Sequence, residues 1–133
     1  MEILSQQELR KMSALALAHI GDAVFELMVR TELCKSGFAV NGNLHRETVA
    51  RVCAPAQAKF VDKILPHLTE DEAAVYRRGR NAHVRSIPKN ATQAQYNKAT
   101  GLETLFGMLY LSGNRARLQE LFTLAKQEDS HAV

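Results

Sequence analysis

The chain has 133 residues, of which 46% are hydrophobic and 23% are charged, and it carries a formal net charge of +3 at pH 7. These values are typical of one folded domain with one substantial core. No apolar run reaches the length of a membrane span, and the N-terminus lacks the basic and then apolar pattern of a signal peptide. Two cysteines are too few for a disulfide framework. We therefore expect a single domain over residues 1–133, located in the cytoplasm and without a membrane partner.

Helix-start and helix-stop signals predict an all-α fold, since no segment alternates in hydrophobicity over enough residues to form a strand. Ser5 and Glu8 form a capping-box pattern, and a helix is predicted to run from there to about Lys35, with Gly37 as its stop. Asn43 is predicted to cap the next helix. The further helices are predicted over about residues 44–54, 55–65, 70–78, 99–111 and from 115 onward. A long polar connection is expected before the helix at 99–111.

Asp22 lies in the middle of an apolar run, directly after Gly21. From Met12 to Val29, Asp22 and Glu26 are the only formally charged residues. Unpaired carboxylates are costly to bury, and residues four positions apart share a helix face. These two acids therefore need basic, backbone or metal partners, unless both lie on the polar edge of an amphipathic helix.

The predicted helix over residues 99–111 also carries one acid in apolar surroundings, Glu103. If the two helices meet in one core, Asp22 and Glu103 come together, and such carboxylates repel unless they share a proton or hold a cation. Oxygen ligands favour Mg²⁺ or Mn²⁺ over zinc, and no His or Cys is spaced to compete. The alternative is that Glu103 lies at the solvent edge and pairs with a surface Lys or Arg.

The segment from residue 73 to residue 102 contains no Asp or Glu. Its six basic residues are Arg77, Arg78, Arg80, Arg85, Lys89 and Lys98. This concentration of cations is typical of a surface that contacts phosphates, whereas the scarcity of aromatic residues argues against stacking on unpaired bases. Contacts to duplex phosphates fit better, and an ordinary solvated loop is the alternative.

These features favour a metal-assisted phosphodiester hydrolase that acts on nucleic acid. A non-catalytic RNA-binding or ribosome-assembly factor is the alternative from another class, although such a factor has no use for buried acids. An all-α, Mg²⁺-dependent nucleotide pyrophosphohydrolase is a third possibility, but the chain lacks a second cluster of acids at the spacing that such enzymes use.

Two segments resemble motifs of the ribonuclease III family. Residues 17–25 are similar to its signature helix, with an apolar-Gly-Asp core, and residues 100–107 resemble its second acidic motif. Residues 78–82 and 88–90 follow in the order and at the approximate spacing of the short Mini-ribonuclease III branch, which consists of the nuclease domain alone. The resemblance covers about residues 12–125 and includes no double-stranded-RNA-binding domain.

The resemblance implies an all-α endonuclease domain of the ribonuclease III type, which works as a homodimer and cuts double-stranded RNA with Mg²⁺, for which Mn²⁺ can substitute. It also implies staggered cuts that leave 5′-phosphate ends, and a role in the maturation of precursor 23S ribosomal RNA. Asp22 and Glu103 match the catalytic, metal-binding carboxylates of the family, and His19 falls where the family has an aromatic residue at the dimer interface. The residues predicted to bind RNA are Arg77, Arg78, Arg80, Asn81, Arg85, Lys89 and Asn90.

The chain departs from typical members of the family at three positions where they carry further acids. It has Leu15, Ala18 and Thr100 there, and the Mini-ribonuclease III branch shares such losses. Glu26, one helical turn after Asp22, is therefore a further candidate metal ligand.

Overall fold

The computed structural model describes residues 2–37, 43–82 and 90–131, and its regular structure over those ranges is helical. The α-helices are α1 (Gln6–Arg10), α2 (Ala14–Lys35), α3 (Leu44–Val52), α4 (Ala54–Ile64), α5 (Glu70–Arg80), α6 (Gln93–Leu111) and α7 (Arg115–His131). A short 3-10 helix, Leu65–His67, follows α4. The predicted all-α fold is confirmed. None of the helices in these ranges is both long and apolar enough to cross a bilayer.

The first predicted helix is in fact two helices. Ser5 caps α1 with the predicted capping box. The helix α1 ends at Arg10. Ser13 then caps the start of α2 by accepting a hydrogen bond from the backbone amide of Ala16 at 3.0 Å. The prediction of one uninterrupted helix is therefore wrong, because it overlooked a second capping serine. The predicted stop is confirmed, since Gly37 follows α2 with a φ of 91°, which favours glycine.

One further helix start and one predicted helix cap differ from the prediction. α6 begins at Gln93 rather than near Ala99, because Thr92 forms a capping box with Gln95 and accepts a hydrogen bond from its amide at 3.1 Å. The polar connection before α6 is therefore shorter than expected. Asn43 does precede α3, but its side chain makes no capping hydrogen bond.

The central helix of the fold is α6, which contacts α2, α4, α5 and α7. Leu102 and Phe106 on α6 are completely buried. Phe25 of α2 packs edge-on against Phe60 of α4, with ring centroids 5.2 Å apart, and Phe106 lies 5.7 Å from Phe25. Because α6 has neighbours on several sides, few of its positions can carry a polar side chain that reaches solvent. The half-buried Glu103 occupies one of them.

A largely buried ion pair fixes α5 to α7. Arg117 donates hydrogen bonds to both carboxylate oxygens of Glu72 at 2.8 Å, and to the carbonyl oxygen of His67 at 2.7 Å. The hydrogen bonds from the guanidinium lower the pKa of the Glu72 carboxyl, so the pair stays ionised at neutral pH. This pair holds α5, whose last turn carries three of the predicted RNA-binding arginines, in a fixed orientation against the core.

Candidate active site

The backbones of α2 and α6 are in direct contact where the two helices cross. A Cβ atom on Gly21 would lie 1.6 Å from the carbonyl oxygen of Glu103, and one on Gly107 would lie 2.0 Å from the carbonyl oxygen of Leu17. No side chain fits at either position, so the two glycines allow the helices to approach this closely. Since Asp22 directly follows Gly21, the crossing brings Asp22 beside Glu103.

The carboxyl groups of Asp22 and Glu103 are hydrogen-bonded to each other. Burial raises the pKa of Glu103 to about 8, and Asp22 contributes to this rise through its negative charge and its hydrogen bond. At pH 7 Glu103 therefore keeps a proton and donates it to Asp22. The structure thus brings together the two acids that the sequence pattern suggested could meet, and their catalytic role stays a prediction.

Gln57 of α4 is the third side chain at this site. It donates a hydrogen bond to the Glu103 carboxyl, which opposes the rise in the pKa of that group. Its side chain is buried, with 2% of the residue exposed. The sequence pattern did not single out Gln57, although a signal was present. Val61 and Ile64 follow it by four and seven positions and are buried on the same face of α4.

Asp22 and Glu103, here called the acid pair, supply oxygen ligands that fit a divalent cation such as Mg²⁺ or Mn²⁺. Asp22 is exposed and Glu103 is half-buried, so the pair opens to solvent on the Asp22 side. Within residues 2–37, 43–82 and 90–131, no group of three or more His, Cys, Asp or Glu is arranged to hold a metal ion. Two carboxylates leave most ligand positions of such a cation to water or to a substrate.

Two other predicted site residues, Glu26 and His19, also lie on α2. Glu26 forms an ion pair with Arg30, with 2.9 Å between their side-chain atoms, and it completes no three-acid group in the described part of the chain. Its role as a metal ligand stays a prediction. His19 is exposed on the surface of α2, and its place at a dimer interface is likewise a prediction.

The basic end of α5 packs directly against α6 near the acid pair. A Cβ atom on Gly79 would lie 2.2 Å from Oγ1 of Thr104 and 2.9 Å from Cα of Gly101. Thr104 follows Glu103 in α6. The last turn of α5, with its three arginines, therefore lies against the same stretch of α6 that carries Glu103.

The three arginines of α5 have different surroundings. Arg77 and Arg78 are exposed, and Arg78 donates a hydrogen bond to the carbonyl oxygen of Met12 at 3.3 Å. Arg80 is half-buried, and its guanidinium lies 5.9 Å from the centre of the Tyr76 ring. Arg77 and Arg78 are therefore better placed than Arg80 to meet a phosphate.

The remaining predicted RNA-binding residues are only partly described. Asn81 and Asn90 are exposed, at the end of α5 and shortly before α6 respectively. Arg85 and Lys89 lie outside the described residues. Lys98, the last cation of the basic segment, lies on α6 and forms an ion pair with an acid of α4 at 2.7 Å. Lys98 therefore links α6 to α4.

The helical fold, the acid pair and the adjacent basic helix end are the features expected of one class of enzyme, the nucleases that use carboxylates. The Ribonuclease III domain family matches residues 15–114. A protein of Symbiobacterium thermophilum called Mini-ribonuclease 3 is 44% identical, covering 84% of this chain and 85% of the relative. A protein of the same name from Synechocystis sp. is 45% identical, covering 91% of this chain and 82% of the relative. A crystal structure of a protein from Fusobacterium nucleatum covers 92% of this chain and 98% of its own, with a TM-score of 0.81 and 27% identity.

The chain belongs to the ribonuclease III family and is an endoribonuclease. The predicted resemblance to the Mini-ribonuclease III branch is confirmed, because relatives at 40–45% identity over most of the chain carry that name. The family acts on double-stranded RNA. Both Asp22 and Glu103 fall within the matched residues 15–114.

Proposed function

We propose that this endoribonuclease cuts double-stranded RNA in a Mg²⁺-dependent reaction at Asp22 and Glu103, and that its cytoplasmic substrate is precursor 23S ribosomal RNA. The hydrogen-bonded acid pair at the α2–α6 crossing is the observation that carries the proposal. Two carboxyls in contact, one with a pKa raised to about 8, are costly for a fold to maintain, and a bound cation would relieve their repulsion.

Asp22 and Glu103 have different roles in the proposed reaction. When bound there, Mg²⁺ supplies acidification of water and stabilisation of charge on the phosphate. Asp22, on the exposed side, offers its carboxylate directly to an incoming cation. If a cation were bound there, Glu103 would release its proton to solvent and hold the cation as a carboxylate, because a nearby positive charge favours the ionised form of an acid.

The basic end of α5 supplies the contacts to the RNA backbone in this proposal. Arg77 and Arg78 are exposed on the last turn of α5, whose Gly79 packs against the stretch of α6 that carries Glu103. Guanidinium groups bind phosphate oxygens with paired hydrogen bonds, so they can hold a strand across the acid pair without reading its sequence.

A homodimer is part of the proposal because one side of α2 exposes three apolar residues and one histidine. Leu15, His19, Ala23 and Leu27, here called the α2 stripe, follow each other at intervals of four residues and are all exposed. Leu15 is 46% exposed and Leu27 is 65% exposed. Apolar residues that are exposed together on one side of a helix favour an interface between proteins. Asp22 immediately precedes Ala23, so each acid pair would lie close to the partner subunit.

The nuclease assignment is tested by replacing Asp22 with Asn and measuring cleavage and binding of a defined RNA duplex separately. Wild type with Mg²⁺ should cut both strands and leave 5′-phosphate ends, whereas Asp22→Asn should be slower by about 10³-fold and still bind the duplex. Asp71→Asn, which changes an exposed acid in the first turn of α5, should cut at the wild-type rate. An intact duplex after incubation with wild type and Mg²⁺ would refute the assignment.

The proposed substrate and metal are tested with precursor 23S ribosomal RNA. We expect cuts at discrete positions, which stop when EDTA is added and return with Mg²⁺. Equal rates on the precursor and on an unrelated duplex of the same length would contradict the precursor assignment and leave the nuclease assignment in place.

A further inference from the structure

We propose that Gln57 is a positioning residue for the nuclease reaction, whose side-chain amide holds the Glu103 carboxyl in the orientation in which it meets Asp22. This inference rests on the proposed function, because the proposed function is what gives the acid pair the role of binding the metal ion.

The first observation is that α4 buries an amide where an aliphatic side chain would be less costly. Gln57 is 2% exposed, and Val61 and Ile64 on the same face of α4 are 0% and 1% exposed. A buried amide that lacks hydrogen-bond partners destabilises a fold, because it loses its bonds to water and gains none in return. In the described part of the chain, no buried side-chain nitrogen or oxygen lacks a hydrogen-bond partner. The bond from Gln57 to Glu103 is part of this arrangement.

The second observation concerns the chemistry of the donor. An amide donates a hydrogen bond without carrying a charge, so it can orient a carboxyl group without neutralising it. A lysine or arginine at position 57 would form an ion pair with Glu103 and compete with a metal ion. A leucine there would leave the direction of the carboxyl undetermined. A glutamine is therefore suited to a carboxylate that must stay available to a cation.

The third observation is that Gln57 belongs to a fixed part of the backbone. It lies in the first turn of α4, where Pro55 restricts the chain, and its backbone N–H donates a hydrogen bond to the carbonyl oxygen of Cys53 at 3.0 Å. α4 packs directly on α6. Glu103 is thus held twice, by its own backbone against Gly21 of α2 and by its side chain against Gln57 of α4.

The test replaces Gln57 by Met, which keeps the length of the side chain and removes the hydrogen bond. We expect kcat on duplex RNA to fall by about 10–100-fold, as is typical when a residue that orients a metal ligand is removed, while KM stays within about twofold. In a separate titration of the RNA-free protein, calorimetry should show that the affinity for Mn²⁺ falls by about tenfold. Gln57→Leu should reproduce both changes, so the test does not depend on one variant folding.

The matched control is Thr48→Val, which removes a buried hydroxyl from the neighbouring helix α3. Thr48 donates its hydroxyl hydrogen bond to the carbonyl oxygen of Leu44, within its own helix. Thr48→Val should lower the melting temperature but leave kcat and Mn²⁺ affinity at wild-type values. A further readout needs no variant, since the side-chain amide signals of Gln57 in ¹H–¹⁵N NMR spectra of the wild type should shift during a Mg²⁺ titration.

The outcomes separate this inference from the proposed function. The inference is overturned if Gln57→Met and Gln57→Leu keep the wild-type kcat and Mn²⁺ affinity, or if the NMR signals of Gln57 do not shift when Mg²⁺ is added. In either case, cleavage by wild type and its loss in Asp22→Asn would still support the nuclease assignment. If the wild type does not cleave, the proposed function fails. The calorimetric titration then decides by itself whether Gln57 positions Glu103 for a metal ion.

Discussion

Glu103 of α6 donates its carboxyl proton to Asp22 of α2, across a crossing where the two helix backbones touch. Because burial and Asp22 raise the pKa of Glu103 to about 8, the folded protein holds this proton more tightly than the unfolded chain, in which a glutamate titrates near 4.5. The proton therefore stabilises the metal-free fold at low pH. This stabilisation is lost as the pH rises from the unfolded pKa through the folded pKa.

We expect the free energy of unfolding of the metal-free protein to fall between about pH 4.5 and pH 8, by at most about 1.4 kcal/mol per pH unit for one proton. Urea unfolding in EDTA across this range measures the slope. Glu103→Gln should remove the contribution of this proton, and Glu70→Gln, which changes an exposed acid of α5, should retain it. Parallel curves for wild type and Glu103→Gln would contradict the prediction.

Gly21 is predicted to tolerate no side chain. A Cβ atom there would lie 1.6 Å from the carbonyl oxygen of Glu103 and 2.8 Å from the backbone nitrogen of Gly107, so α2 and α6 would have to move apart. We expect Gly21→Ala to lower the free energy of unfolding by about 3 kcal/mol or more, and also to reduce cleavage because the acid pair separates. Denaturant unfolding and the duplex cleavage assay measure the two effects.

Gly37 provides the matched control for this substitution. Nothing lies within 4 Å of a Cβ atom built there, but its φ of 91° is strained for other residues. Gly37→Ala should therefore cost only about 1–2 kcal/mol and leave the cleavage rate unchanged. Equal losses of stability at positions 21 and 37 would show that the α2–α6 contact is not as close as the structure indicates.

The acid pair could be anticipated from the sequence because single acids in apolar helices are conspicuous. Asp22 beside Gly21, and Glu103 four positions before Gly107, already combine a carboxylate with a residue that permits close helix packing. The argument about burial made this pairing one of two alternatives, the other being Glu103 at the solvent edge, and the close approach of α2 and α6 decides between them.

Features that depend on the register between helices could not be anticipated in this way. Gln57 contacts Glu103 only because α4 packs on α6 at one particular rotation, and a sequence read one helix at a time gives no such rotation. Arg80 was grouped with its basic neighbours by composition, yet it lies over the ring of Tyr76. The capping box of Thr92 and Gln95 indicates that α6 starts there, but the polar residues of this segment favour the prediction of a loop.

Arg77 and Arg78 are predicted to account for part of the salt dependence of RNA binding. Both are exposed on α5, and removing one cation that binds a phosphate should reduce the slope of log Kobs against log salt by about one. We expect Arg77→Gln with Arg78→Gln to weaken binding of every duplex to a similar extent. Fluorescence anisotropy at several salt concentrations measures the slope.

The control for the arginine pair is Arg115→Gln, which removes one exposed cation at the start of α7. This variant should keep the wild-type salt slope, because α7 lies outside the proposed RNA surface. If the double variant keeps the wild-type slope as well, the end of α5 does not contact the RNA backbone.

Leu27 is predicted to be essential for the proposed homodimer. It is 65% exposed at one end of the α2 stripe, and a charged side chain there would have to lose its hydration when two stripes meet. We expect Leu27→Asp to yield a folded monomer in sedimentation experiments at concentrations where the wild type is a dimer. Val49→Asp makes the same change at a residue of α3 that is 48% exposed and lies outside the stripe, so it should remain dimeric. If Leu27→Asp is still a dimer, the interface lies elsewhere on the protein. If the wild type is a monomer, the homodimer is removed from the proposal.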